Sequence, residues 1–203
     1  MSNKPVIVFE GIEGSGKSYH VSNVSKYLKQ KKIAHIKIRE PGGCLNSEKI
    51  RKLILNNRSK FNKNTDLLLY LAARSENVMM LKKNFRKKII LIDRFIDSTI
   101  AYQHYGLKVN VNLINFINNH LLKNFKIDFT FLNIVNKSNM NKRLKSRKSL
   151  NRYDKFNSNF YDKVQKGFIK LSKRNKRKYQ IIDSNLDIND NKKKIIQTIN
   201  RLI

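Results

Sequence analysis

Residues Gly11-Ile12-Glu13-Gly14-Ser15-Gly16-Lys17-Ser18 match G-x-x-x-x-G-K-[ST] in full, directly after the apolar run Val6-Ile7-Val8-Phe9. The pair reads as a strand entering a phosphate-binding loop, with a helix starting where the loop ends. The glycines let successive backbone N–H groups turn inward toward phosphate oxygens. The helix then aims its positive end at the same anion. Lys17 adds a charge for the β- and γ-phosphates, and the Ser18 hydroxyl is placed to ligate Mg²⁺. A nucleoside triphosphate is the donor this loop implies.

The loop also constrains everything downstream, because it belongs to parallel α/β sheets. The pattern alternates accordingly. Helix is expected over 17–31, from the spacing of Val21, Val24 and Leu28. A second strand is expected over 33–39, stopped by Glu40-Pro41-Gly42-Gly43. Helices follow at 47–55 and 65–85, the latter with Thr65 as N-cap. A third strand spans 88–93, and its unbroken apolar run suits a strand buried on both faces. Helical patterns at 97–103 and 111–122, strands at 129–135 and 178–182, and a last helix at 192–203 complete the order. The result is an α/β fold, a five-stranded parallel sheet with helices on both faces, in one domain over 1–203. In such sheets sites lie at the carboxyl ends of the strands.

The chain has 203 residues with 44 Lys+Arg against 14 Asp+Glu, a formal net charge of +30. A basic excess is the footprint of nucleic-acid binding. Here it runs along the whole chain, beside abundant Asn and Ile, and these residues share A/T-rich codons with Lys. Genome composition is therefore the preferred account, and specific nucleic-acid binding is not expected. The single cysteine, Cys44, excludes an intramolecular disulfide and a Cys-based metal cluster. The four histidines show no ligand spacing. No apolar run approaches the roughly 18 residues that span a bilayer, and no signal peptide is read before the first strand. A cytoplasmic protein without membrane partners is the expectation. The last helix is read as packing on the sheet.

Beyond the loop, three segments fall where sites must sit. Asp93-Arg94 ends the third strand, where the Asp can hold Mg²⁺ and the Arg can clamp phosphoryl oxygens. Arg39-Glu40-Pro41-Gly42-Gly43, followed by Arg51, closes the second. Tyr70-Leu71-Ala72-Ala73-Arg74 lies in a long helix. Together with the run from Asp93 to Gln103, these segments resemble bacterial thymidylate kinases, in order, from about Val6 to the C-terminus. That resemblance implies a P-loop nucleoside monophosphate kinase fold that transfers the γ-phosphoryl of ATP to dTMP, giving dTDP and ADP with Mg²⁺. It also implies a homodimer.

The same resemblance implies roles by position. Tyr70 stacks on thymine, although alone on a helix it would read as a core aromatic. Arg74, Gln103 and Thr99 meet the base edge. Arg39, Arg51 and Arg94, with Glu40 beside them, surround the monophosphate. Glu13 takes the sugar 3′-OH, and Tyr102 crowds the 2′ position. Residues 143–155 resemble the lid that closes over ATP, and the loop triplet Glu13-Gly14-Ser15 leaves the basic group to be supplied from there. Arg147 is the candidate for neutralising the transferring phosphoryl, Arg152 supports it, and Arg143 packs against adenine. Lys17, Asp93, Arg94 and Arg147 form the catalytic set, with Ser18 and Asp93 on the metal. Asn151 and Asp154, Tyr19 and Ile127 depart from the family pattern without removing a required group.

Other readings remain: a kinase for a different nucleotide or a deoxynucleoside, or a basic nucleic-acid-stimulated ATPase. A neutral hydroxyl acceptor would call for a carboxylate base. Four arginines around the pocket suggest instead an acceptor that already carries phosphate.

Overall fold

A computed structural model describes residues 4–147 and 149–203. Five parallel strands form the sheet: β1 (Val6–Gly11), β2 (His35–Arg39), β3 (Ile89–Asp93), β4 (Phe129–Ile134) and β5 (Tyr179–Asp183), in the order β2-β3-β1-β4-β5. Helices α1 (Lys17–Gln30), α2 (Leu45–Leu55), α3 (Lys63–Asn84), α4 (Ile96–Thr99), α5 (Val111–Leu122), α6 (Lys137–Lys145), α7 (Ser158–Arg174) and α8 (Ile188–Leu202) connect and flank them.

The central strands are apolar on both faces because both faces are covered. Every residue of β1 and β3 is buried. One layer joins Ile7, Phe9, Leu91 and Phe131 to Val21, Val24 and Leu28 of α1 and Ile195 and Ile199 of α8. The opposite layer joins Val8, Ile90 and Ile92 to Val78 and Leu81 of α3. Phe9 stacks on Phe131 with ring centroids 5.0 Å apart, and truncating such a buried ring to Ala costs about 3–5 kcal/mol. No helix of the described residues is long and apolar enough to cross a membrane.

Several boundaries differ from the sequence reading. Asn62, not Thr65, caps α3, its side chain accepting from the N–H groups of Asn64 and Thr65. β2 begins at His35, because Ile33 is still tied to the end of α1 through the Leu28 carbonyl. The segment expected as a helix over 97–103 is the four-residue α4 running into a π-helical turn, Ile100–Gly106. The last helix starts at Ile188, capped by Asp187, and ends before the exposed Ile203.

Candidate active site

β1 and β3 are neighbours, with Phe9 in register with Asp93. The phosphate loop and the Asp93-Arg94 pair therefore leave the sheet side by side. Gly11 has φ 142, and a Cβ there would lie 2.3 Å from the Asn133 carbonyl oxygen of β4, so no other residue fits. Gly16 has φ 80 and no neighbour within 4 Å of a would-be Cβ. Its role is conformational, turning the chain into α1. The N–H groups of Lys17 and Ser18, in the first turn, have no intrahelical acceptor.

Lys17 is buried and donates to the Ile12 carbonyl at 3.2 Å. Burial lowers its ammonium to about 8, with Arg94 pushing the same way against Asp93, Glu13 and Glu10. Ser18 Oγ donates to Asp93 Oδ2 at 2.5 Å. Asp93 Oδ1 is buried and has no hydrogen-bond partner among the described residues. An alcohol and a carboxylate with an unspent oxygen suit a hard divalent cation. The described residues hold no group of three or more His, Cys, Asp or Glu able to chelate a metal. Such a cation would thus draw its remaining ligands from phosphate and water.

Arg94 adopts φ 69, a left-handed conformation costing about 1–2 kcal/mol in a non-glycine residue. The surroundings that enforce it are visible. Its N–H donates to the Phe9 carbonyl at 3.0 Å. Glu10, buried at the end of β1, accepts from the N–H of Phe95 at 2.8 Å, the N–H of Ser98 at 3.2 Å and the Ser98 hydroxyl at 2.5 Å. The guanidinium, so aimed, donates to the Gly11 carbonyl and to Glu13 Oε1, each at 2.8 Å. Burial would weaken its charge, but Glu13, Tyr102, Asp93 and Glu10 hold it above the ordinary range. Burial likewise opposes ionisation of Glu13, yet Arg94, Lys17 and the Tyr102 hydroxyl keep its carboxyl below the usual value.

These groups open into a cleft of about 180 Å³. Its walls include Glu13, Lys17, Ser18, Asp93 and Arg94 on one side and Arg39, Glu40, Arg51, Tyr70, Arg74, Thr99, Tyr102 and Gln103 on the other, with Arg147 at the edge. Arg51 Nη1 donates to the Pro41 carbonyl at 2.6 Å. Burial and Arg39 lower Arg51 to about 10, so it stays charged at neutral pH. Arg39 pairs with Glu48 at 3.0 Å at the exposed rim. Arg74 is buried and spends its guanidinium on Glu40 at 2.8 Å, Asn118 at 2.6 Å and Thr99 at 3.1 Å. The cleft thus combines several guanidinium groups with the aromatic faces of Tyr70 and Tyr102, as a base and a phosphate dianion require.

The three lid arginines separate. Arg147 reaches the cleft and pairs with Asp154 at 2.5 Å. Arg143 donates to the carbonyls of Gly14 at 2.8 Å and Ser184 at 2.7 Å, bracing the phosphate loop against the turn after β5 rather than presenting a free face. Arg152 turns the other way, toward Asp66 of α3 and the Ile54 carbonyl, and does not line the cleft. Arg143 and Arg152 were both expected at ATP; in this structure their guanidinium groups donate to carbonyl and carboxylate oxygens of the protein.

Glu10, Asp66 and Tyr153 were not anticipated. Glu10 carried a signal, an acid closing an otherwise apolar strand. Nothing in the sequence pattern marked Asp66 or Tyr153.

The thymidylate kinase family model matches residues 9–195. A thymidylate kinase of Mycoplasma capricolum is 38% identical over 187 residues, covering 90% of this chain and 88% of its own. That of Thermosipho africanus is 41% identical over 170 residues, covering 82% and 84%. The crystal structure of a thymidylate kinase from Ehrlichia chaffeensis superposes with a TM-score of 0.78 at 30% identity, over 98% of this chain and 99% of that one.

Proposed function

The chain belongs to the thymidylate kinase family, and from that membership we infer how its own residues carry the transfer of a phosphoryl group from ATP to dTMP. The observation that supports the assignment most is the single cleft that joins the phosphate loop to Arg39, Arg51, Tyr70, Arg74 and Arg94. Phosphoryl transfer needs alignment and charge neutralisation more than covalent catalysis, and no nucleophilic side chain is assigned.

The loop N–H groups and Lys17 hold the β- and γ-phosphates of ATP. Ser18 and Asp93 would hold Mg²⁺, which when bound neutralises charge on those phosphates. Arg39, Arg51 and Arg94 grip the phosphate of dTMP, and Arg94, fixed by Glu10 and Glu13, faces the oxygens between donor and acceptor. Glu13, on Arg94 and Tyr102, sits where the sugar 3′-OH would come. Tyr70 stacks on thymine, with Arg74, Thr99 and Gln103 at its edge. Arg147 adds positive charge from the lid as the transfer proceeds.

One domain with a lid at about 143–155 performs this work, placed in the cytoplasm with its nucleotides. Exposed Leu68 and Met79 on α3 and Phe116 on α5 support a homodimer, which sedimentation of the wild type against Met79→Glu tests. For the activity, ADP release is measured with ATP, Mg²⁺ and a panel of acceptors: dTMP, dUMP, UMP, dCMP and thymidine. Strong turnover with dTMP, weaker turnover with dUMP and little with UMP or thymidine is expected. Turnover with thymidine but not dTMP would overturn the acceptor assignment.

A further inference from the structure

Gln103 has its amide oxygen buried and without a hydrogen-bond partner among the described residues, although the residue lines the cleft. The reason lies on its far side. Its amide nitrogen donates to Asp66 Oδ2 at 3.3 Å and to the Tyr153 hydroxyl oxygen at 3.2 Å. A carboxylate only accepts. The Tyr153 hydroxyl spends its one proton on the same Asp66 oxygen, so toward Gln103 it too only accepts. Burial, with Tyr70 and Asp66 adding to it, raises the Tyr153 phenol well above its ordinary range, so that proton stays in place. Two acceptors therefore face one end of the amide, and only the NH₂ end satisfies them. The carbonyl end is left without a partner, on a residue that lines the cleft.

We propose that Asp66, which does not line the cleft, is a positioning residue for base selection: through Tyr153 it fixes which way round the Gln103 amide faces. The inference rests on the reading of Gln103 as a contact to the base. An amide oxygen presented there suits a base that offers a ring N–H, as thymine and uracil do. It opposes the lone pair on the corresponding ring nitrogen of cytosine. Arg74 lines the same cleft, and its remaining guanidinium N–H groups can only donate, which suits an exocyclic carbonyl and not an amino group.

Asp66 is well placed to hold this arrangement. It is 2% exposed, and Arg152 donates to its other oxygen, so both oxygens are engaged. Arg152 is itself held by the Ile54 carbonyl at 3.0 Å and packs over the Phe61 ring. Tyr153 is fixed by its ring, edge-on to Tyr70 and Tyr102 at 5.9 and 5.8 Å. The neighbours that orient Gln103 thus come from α3 and from the lid segment together.

The test compares kcat/KM for dTMP, dUMP and dCMP in the wild type, Asp66→Asn, Tyr153→Phe and Gln103→Ala. An Asn at 66 offers either end of its own amide, so Gln103 is free to turn. The preference for dTMP over dCMP should narrow roughly tenfold or more in Asp66→Asn, as for loss of a dedicated polar contact, and by less in Tyr153→Phe. The dTMP-to-dUMP ratio should stay as it is, since both bases carry the same ring N–H. An unchanged dTMP-to-dCMP ratio in both variants, alongside a narrowed one in Gln103→Ala, overturns the role of Asp66 alone. An unchanged ratio in Gln103→Ala overturns the base contact itself, and the proposal with it. Should Asp66→Asn fail to fold, Tyr153→Phe, which keeps the ring, decides between the same outcomes.

Discussion

The Ser18 hydroxyl, in the first turn of α1, donates to the Asp93 carboxylate at the end of β3 across 2.5 Å, joining residues 75 positions apart. That bond leaves Asp93 Oδ1 buried and unspent. The pair therefore offers a hydroxyl and an unpartnered carboxylate oxygen, donors of the kind a hard divalent cation takes.

Asp93→Asn keeps the shape and removes the charge. Changes of this kind at metal sites cost about 10- to 100-fold in metal affinity or activity. Titrating Mg²⁺ at fixed ATP should show the half-saturating concentration rising within that range, with the fold retained by circular dichroism. A superimposable Mg²⁺ curve would remove Asp93 from the metal.

Arg94→Ala removes the guanidinium between the Gly11 carbonyl and Glu13. Loss of one preorganised donor to developing charge costs about 10²–10³ in kcat. Turnover should fall by at least that much while the far-ultraviolet spectrum is unchanged. Near-normal kcat would sink the assignment.

Lys17 sets an alkaline limb. Its folded value of about 8 lies below the ordinary 10.5, so the cation that grips phosphate is lost as pH rises through about 8. The profile of kcat/KM for ATP reports the free enzyme and should fall there, whereas bound phosphates displace the limb of kcat upward. The same shift sets a stability sign. Between about 8 and 10.5 the unfolded chain binds more protons at this site than the folded one, so its contribution to stability rises with pH. A kcat/KM flat through pH 8 would show that the Lys17 charge is dispensable or unperturbed.

Arg147 and Arg152 should fail differently. The Arg147 side chain is 37% exposed, and Asp154 keeps donors from Asn151 when it is gone. Arg147→Ala should lower kcat with the smaller drop in melting temperature, because its own partly exposed guanidinium is already screened by water. Arg152→Ala leaves Asp66 buried without its cation, a loss of about 3–5 kcal/mol, and should first appear as a lowered melting temperature. The reverse pattern would exchange their roles.

The phosphate loop and Asp93-Arg94 were legible because their chemistry is local: short runs in which each residue type has one use. The strand and helix order was legible for the same reason, since apolar periodicity follows burial. What could not be read depends on choices among equals. Asn62, Asn64 and Thr65 are all acceptable caps, and the structure uses the first. The π-helical turn at Ile100–Gly106 holds one more residue per hydrogen-bonded ring than an α-turn, so a 3.6-residue template misplaces its side chains. Three lid arginines of the same chemical type went to three destinations, fixed by carbonyls and carboxylates more than 80 residues away in two of the three cases, at Gly14 and at Asp66. Glu10 and Asp66 are ordinary acids until the fold surrounds them with donors.

The strand order carries a consequence for how the enzyme comes into being. β1, in the middle of the sheet, is the first of the five strands in chain order, yet it must wait for partners at Ile90 and Phe129. Until β4 emerges, the nascent chain carries its phosphate loop on a strand with an open edge, and that edge is apolar on both faces. Such distant pairing is slow to form and prone to stray association. The strand that carries the phosphate loop is therefore paired on both edges only once every residue from 11 to 134 is available to the fold.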